Sequence, residues 1–255
     1  MSAMEIIFVP LALVLAGLVD SIVGGGGLVL VPAIFAAYPT AAPATLFGTN
    51  KSASIWGTTF ATIQYSRRMR MNWRVLLPAA AATLAGSFFG AWVLTQVDPA
   101  FLRRLLPAVL LAVLIYTVLK KNLGHTHAPQ YARGRETALA CFIGAVIGWY
   151  DGFFGPGAGS FFIFLFVRVL GYDFLHASAS AKFLNVSANF AALVLFALKG
   201  HVWWQIGLTM AVANVIGSLI GTRLALKHGA GFVRHVFIIV VSALILKTGY
   251  DAFLR

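Results

Sequence analysis

Apolar stretches of 13 to 21 residues alternate with short polar ones along this chain. They cover residues 6–23, 47–65, 75–95, 105–119, 137–149, 183–198, 206–226 and 232–246. Each approaches the roughly 20 apolar residues that a helix needs to cross a hydrocarbon core of about 30 Å. Two further runs, 28–38 and 161–170, are too short to span alone. The pattern predicts an all-α polytopic membrane protein, with about eight full transmembrane helices and two short segments that are either broken or re-entrant.

The short runs each follow an unusual interruption. At residues 18–32, LVDSIVGGGGLVLVP places Asp20 and then Gly24, Gly25, Gly26 and Gly27 inside apolar surroundings. Four consecutive glycines each lower helix propensity by about 1 kcal/mol relative to alanine. At 151–160, DGFFGPGAGS carries Asp151, Gly155, Pro156 and Gly157. Both first helices are therefore expected to stop at the glycines. Non-helical backbone at membrane depth persists only where protein or a water-filled cavity satisfies it. The N–H groups at the start of the next short helix would then favour an anion.

The interruptions belong to a larger doubling. Residues 5–124 laid on 136–255 at a constant offset of 131 match at 21 of 120 positions without a gap. Asp20 falls on Asp151, Gly24 on Gly155, Gly26 on Gly157, Lys51 on Lys182 and Trp73 on Trp204. GSFFG at 86–90 falls on GSLIG at 217–221, where small residues suit close helix packing. The chain reads as two homologous helical repeats, 1–119 and 136–255, joined by a polar basic linker at 120–135. If the short segments cross, the copies are inverted, and, leaving out Lys51 and Lys182, 12 Lys+Arg lie inside against 5 outside. If they are re-entrant, the copies are parallel and the division is 11 to 6. Both satisfy the positive-inside tendency. Inversion is the expectation taken here, because paired short segments in two halves mark broken helices at a transport site.

Composition agrees with a membrane protein. The 255 residues are 60% hydrophobic and carry only 19 Lys+Arg and 7 Asp+Glu. The net charge of +12 sits in short loops, not on one face, which points to topology and away from nucleic acid. The opening MSAME lacks Lys and Arg and makes a poor signal peptide. Cys141 is the only cysteine, so no internal disulfide can form. No nucleophilic triad, phosphate loop or metal-binding cluster is present, and neither an enzyme, a metal nor a cofactor is expected.

Lys51 and Lys182 stand within runs that otherwise lack charge, GTNKSAS and SASAKFLN. A mid-membrane charge costs at least about 2.5–3.5 kcal/mol on insertion scales, so it faces a partner or a pathway. An Asp20–Lys51 ion pair joining two helices is one reading. Aspartates solvated near a membrane face are a second. A hydrated cavity is a third, favoured by the small polar neighbours Thr49, Asn50, Ser52, Ser54, Ser178, Ser180, Asn185, Ser187 and Asn189.

An Asp, a glycine-rich break and a polar helix bearing NK or AK, present twice, resemble the TauE/SafE family of sulfite exporters and sulfonate permeases. The likeness covers nearly the whole chain. It implies a multi-pass protein of the bacterial inner membrane that carries sulfite, a sulfonate or another sulfur-containing or organic anion. Asp20, Gly24 to Gly27, Asn50 and Lys51 match the first motif; Asp151, Gly155, Gly157 and Lys182 match the second. Pro156, Ala158 and Ala181 depart from it, so the two halves need not contribute equally. The expected substrate contacts are Gly24, Gly25, Gly26, Gly27, Asn50, Lys51, Gly155, Gly157, Lys182 and Asn185, with Asp20 and Asp151 as candidate proton carriers. Alternating access between the repeats is the expected mechanism, and a passive anion channel is the alternative. The lipid bilayer is the expected surrounding partner, and a homodimer is left open.

Overall fold

The structure, a computed structural model, describes residues 3–38, 40–97, 128 and 131–253. The apolar run at 105–119, FLR at 101–103, and His125 and His127 of the linker lie outside the described residues.

All the described elements are helical. Helix α1 (Ala3–Val23) stops where Gly24 takes φ +74°, a left-handed conformation that suits glycine. Helix α2 (Gly26–Ala37) restarts two residues later. Helix α3 (Pro43–Arg68) opens on a proline, whose missing N–H costs nothing in the first turn, and closes on Arg67 and Arg68, which suit its negative end. Helix α4 (Trp73–Leu94) follows a short connection. In the second half, α5 (Arg133–Phe153) begins within the stretch expected to be linker, with Glu136 in its first turn. Gly155 and Gly157 both have positive φ before α6 (Ala158–Leu165), which runs into a π-helical turn at Phe166–Leu170. Helix α7 (Phe174–Leu198) is capped by Asp173, whose side chain accepts from the His176 N–H. Helix α8 (Trp204–Phe253) is broken at Gly229, between the two runs predicted there. Three of these helices, Trp73–Leu94, Phe174–Leu198 and Trp204–Val233, are long and apolar enough to cross a membrane.

Small residues determine which helices touch. A Cβ on Gly90 of α4 would fall 2.0 Å from the Trp149 carbonyl oxygen of α5, and one on Gly221 of α8 would fall 2.5 Å from that of Leu18 on α1. These two contacts are 131 residues apart on both sides. The glycines of GSFFG and GSLIG therefore do what close backbone packing requires. The serines of the same motifs form an equivalent pair of bonds. Ser87 Oγ donates to the Ala188 carbonyl at 2.7 Å, and Ser218 Oγ donates to that of Gly57 at 2.6 Å.

Chain direction follows from the order of contacts. Along α3, Gly48 lies against Phe196, Thr58 meets Asn189 and Tyr65 meets Ser178, so α7 runs antiparallel to it. Along α1, Gly17 lies on Asn214 and Leu18 on Gly221, so α8 runs parallel to it. Gly144 on Ala79 and Gly152 on Ser87 make α4 and α5 parallel. Two apolar clusters result, one including Tyr65, Phe162 and Phe166, the other Phe47, Phe154 and Phe196.

Candidate functional site

The last turn of α1 would leave carbonyls without partners at membrane depth. Instead they receive hydroxyls from three other helices. Tyr65 donates to the Ser21 carbonyl at 3.2 Å, Ser178 to that of Ile22 at 2.5 Å and Ser160 to that of Val23 at 2.7 Å. Gly24 and Gly159 touch backbone to backbone: a Cβ on Gly24 would fall 2.3 Å from the Gly159 carbonyl carbon. The glycine break of the first half thus rests on the start of the short helix of the second. Tyr150 secures the second break by donating to the Pro156 carbonyl at 2.5 Å.

All four isolated charges are buried here, and their pairing is exchanged between the halves. Lys51 Nζ donates to Asp151 Oδ2 at 2.6 Å, and Lys182 Nζ donates to Asp20 Oδ2 at 3.2 Å. The Asp20–Lys51 pair considered from the sequence does not form, because each lysine meets the aspartate of the other half. Aspartates solvated at a membrane face are also excluded, since Asp20 is 9% exposed and Asp151 3%. The second oxygen of Asp20, Oδ1, accepts from the Gly26 N–H at 3.2 Å. The opening of α2, expected to be free for an external anion, is therefore occupied by the protein's own carboxylate.

A small polar cavity lies among these groups. Gly24, Gly27, Gly155 and Gly159 supply backbone to its wall; Asp20, Lys51 and Asp151 supply charge; Asn50, Ser54, Thr58, Asn185 and Asn189 supply polar side chains. Gly25, Gly26, Gly157 and Lys182 are buried in the surrounding structure. Asn50 Oδ1 is buried and has no hydrogen-bond partner. The space open to water centres is about 20 Å³, enough for a water or two and too little for an oxyanion. The two ion pairs lie on opposite sides of the crossing of α3 and α7. Lys182 is one turn from Ser178, on the Tyr65 side; Lys51 is one turn from Gly48, on the Phe196 side. Among the described residues no group of His, Cys, Asp and Glu could hold a metal ion.

Sequence reasoning missed Thr58, Gly159 and Ser160. Thr58 was legible in principle, because it lies seven residues after Lys51 and so on the same helical face. Gly159 and Ser160 have no such signal, since their partners Gly24 and Val23 belong to the other half.

The model of the sulfite exporter TauE/SafE family matches residues 9–248. A "Probable membrane transporter protein ORF9" from a Sinorhizobium species is 37% identical over 241 residues, which span 94% of this chain and 90% of that relative. "Probable membrane transporter protein YfcA" of Escherichia coli strain K12 is 37% identical over 238 residues, spanning 93% and 87%. A "Probable membrane transporter protein" of Haemophilus influenzae is 30% identical over 236 residues, spanning 92% and 91%. No solved structure matches.

Proposed function

This chain belongs to the sulfite exporter TauE/SafE family of membrane transporters, and from that footing we propose that it is a permease for a small anion, sulfite, a sulfonate or a related sulfur-containing or organic anion, in the bacterial inner membrane. The observation that carries the proposal is the pair of exchanged bridges, Lys51–Asp151 and Lys182–Asp20, buried on either side of one polar cavity.

Two lysines and two aspartates leave the site formally neutral. An anion entering it competes with an aspartate for a lysine. A proton delivered to Asp151 releases Lys51 to the anion, and one delivered to Asp20 releases Lys182. Proton and monoanion together keep the chamber neutral, which avoids the cost of an uncompensated buried charge. The side-chain amides of Asn50 and Asn185, which line the cavity, supply N–H donors to orient the cargo. Gly24 and Gly159 let the two breaks slide past one another without side chains in the way.

The topology proposed is two inverted repeats with about eight full spans. It is supported by the antiparallel course of α3 and α7, which are counterparts at the offset of 131, and by the equivalent bonds of Ser87 and Ser218. In such an arrangement the bridges act as latches that open alternately, one toward each face. The closed cavity favours this over a continuously open channel.

The test is flux into vesicles containing the purified protein, with sulfite, thiosulfate, sulfonates and small carboxylates, under an imposed proton gradient. Saturable, gradient-driven uptake is expected for one of these anions, and Lys51→Ala/Lys182→Ala abolishes it. Asp20→Asn abolishes gradient-driven uptake and spares exchange. Full-rate transport by the double lysine variant would overturn the assignment, and non-saturating flux would favour the channel.

A further inference from the structure

The end of α3 and the stretch of α8 just before its break at Gly229 hold a second collection of cations, unrelated to the buried bridges. Arg67 and Arg68 from α3 face Arg223 and Lys227 from α8 across a groove of about 810 Å³. No carboxylate lines it among the described residues. Its deeper wall is apolar, with Phe60 and Leu219, and Phe60 is 40% exposed on the side where lipid would lie. Gln64 also lines it, and its Nε2 is buried without a hydrogen-bond partner. The groove thus combines four cations, an unused amide donor and an apolar floor.

Depth gives the groove its meaning. Arg67 lies nine residues beyond the crossing of α3 and α7 at Thr58, about 14 Å along the helix. Half of a hydrocarbon core is about 15 Å. With that crossing set at the bilayer midplane, as the proposed transport site requires, the guanidinium groups of Arg67 and Arg68 stand at headgroup level and Phe60 at the level of the acyl chains. A soluble anion would use the cations and leave the apolar wall wet. A zwitterionic lipid would bring its own cation into a cluster that already holds four.

We propose that this groove binds the phosphate of an anionic phospholipid, which Arg67, Arg68, Arg223 and Lys227 neutralise, to which Gln64 donates, and whose acyl chain lies along Phe60 and Leu219. The lipid bridges α3 to α8, one helix from each half, and so ties lipid composition to the element that carries Lys51.

Native mass spectrometry of the purified full chain tests this, with phosphatidylglycerol and phosphatidylcholine offered in equal amounts and water-soluble glycerol phosphate as competitor. Phosphatidylglycerol should be retained at least about tenfold over phosphatidylcholine. Each of Arg67→Gln, Arg223→Gln and Lys227→Gln should cut that retention about fivefold, the factor expected per cation near an anionic headgroup. Where one of these variants is not monodisperse, Gln64→Glu, which keeps every cation, should cause the same loss. On the unmodified protein the preference should fall as salt rises. Equal retention of the two lipids, or undiminished retention in the variants, would overturn the proposal. Complete displacement by glycerol phosphate would do so too, by showing a soluble-anion site.

Discussion

Replacing Lys51 by Met strands Asp151 in a place where it has lost its counter-charge. At 2.6 Å and an effective dielectric constant of about 20, the two charges attract by about 6 kcal/mol. Desolvating each ion costs several kcal/mol, so the intact pair is worth little more than an apolar pair of the same shape. Removing one member is different, and the expected cost is about 3–5 kcal/mol. Asp151→Asn should cost a similar amount by stranding Lys51. The double variant leaves no charge to strand, so its cost should fall short of the sum by about 3 kcal/mol. Lys51→Met with Asp20→Asn should instead add to within about 1 kcal/mol, because Asp20 is bonded to Lys182. Unfolding in mixed micelles titrated with dodecyl sulfate, followed by tryptophan fluorescence, supplies the energies. A coupling of Lys51 to Asp20 larger than that to Asp151 would refute the exchanged pairing.

Gly24→Ala should destabilise by more than about 2 kcal/mol, because φ is +74° and the new methyl would meet the Gly159 backbone; Gly134→Ala, with open space around it in the first turn of α5, should be neutral or stabilising by up to about 1 kcal/mol. Melting of the two purified variants distinguishes these outcomes. Ser87→Ala and Ser218→Ala should each cost about 0.6 kcal/mol, the average for such bonds between membrane helices, and a difference above about 2 kcal/mol would show that the two halves are not energetically equivalent. Tyr172 donates to Glu136 Oε1 at 2.6 Å, and burial together with the Glu136 carboxylate holds its phenol above the ordinary value of 10.0. A raised folded value means stability that is present below about pH 10 and lost as pH rises further. Tyr172→Phe should therefore lower stability by about 1.5–3 kcal/mol at pH 7 and flatten the loss above pH 10, as melting across pH would show.

Much of this protein could be read in one dimension because it depends on local properties. The apolar runs predict helices at 47–65 and 75–95, and α3 and α4 lie there, because the length of hydrocarbon to be crossed sets the length of the run. The breaks fall at Gly24 and Gly155, where only a residue tolerating positive φ, or a proline beside it, is compatible with the chain's path. The offset of 131 announces that the aspartates, glycine breaks and lysines of one half recur in the other.

The partners of the four buried charges were a different matter. Asp20 precedes Lys51 by the same 31 residues that separate Asp151 from Lys182, so spacing is silent on whether each aspartate pairs within its own half or across. Tertiary packing decided it. Glycines at 86, 90, 217 and 221 draw α4 onto α5 and α8 onto α1, and the hydroxyls of Ser160 and Ser178 bind the end of α1 to the second half. That interleaving carries Asp20 to Lys182 and Asp151 to Lys51, because a glycine on one helix lets the backbone of the next approach where any side chain would hold it off.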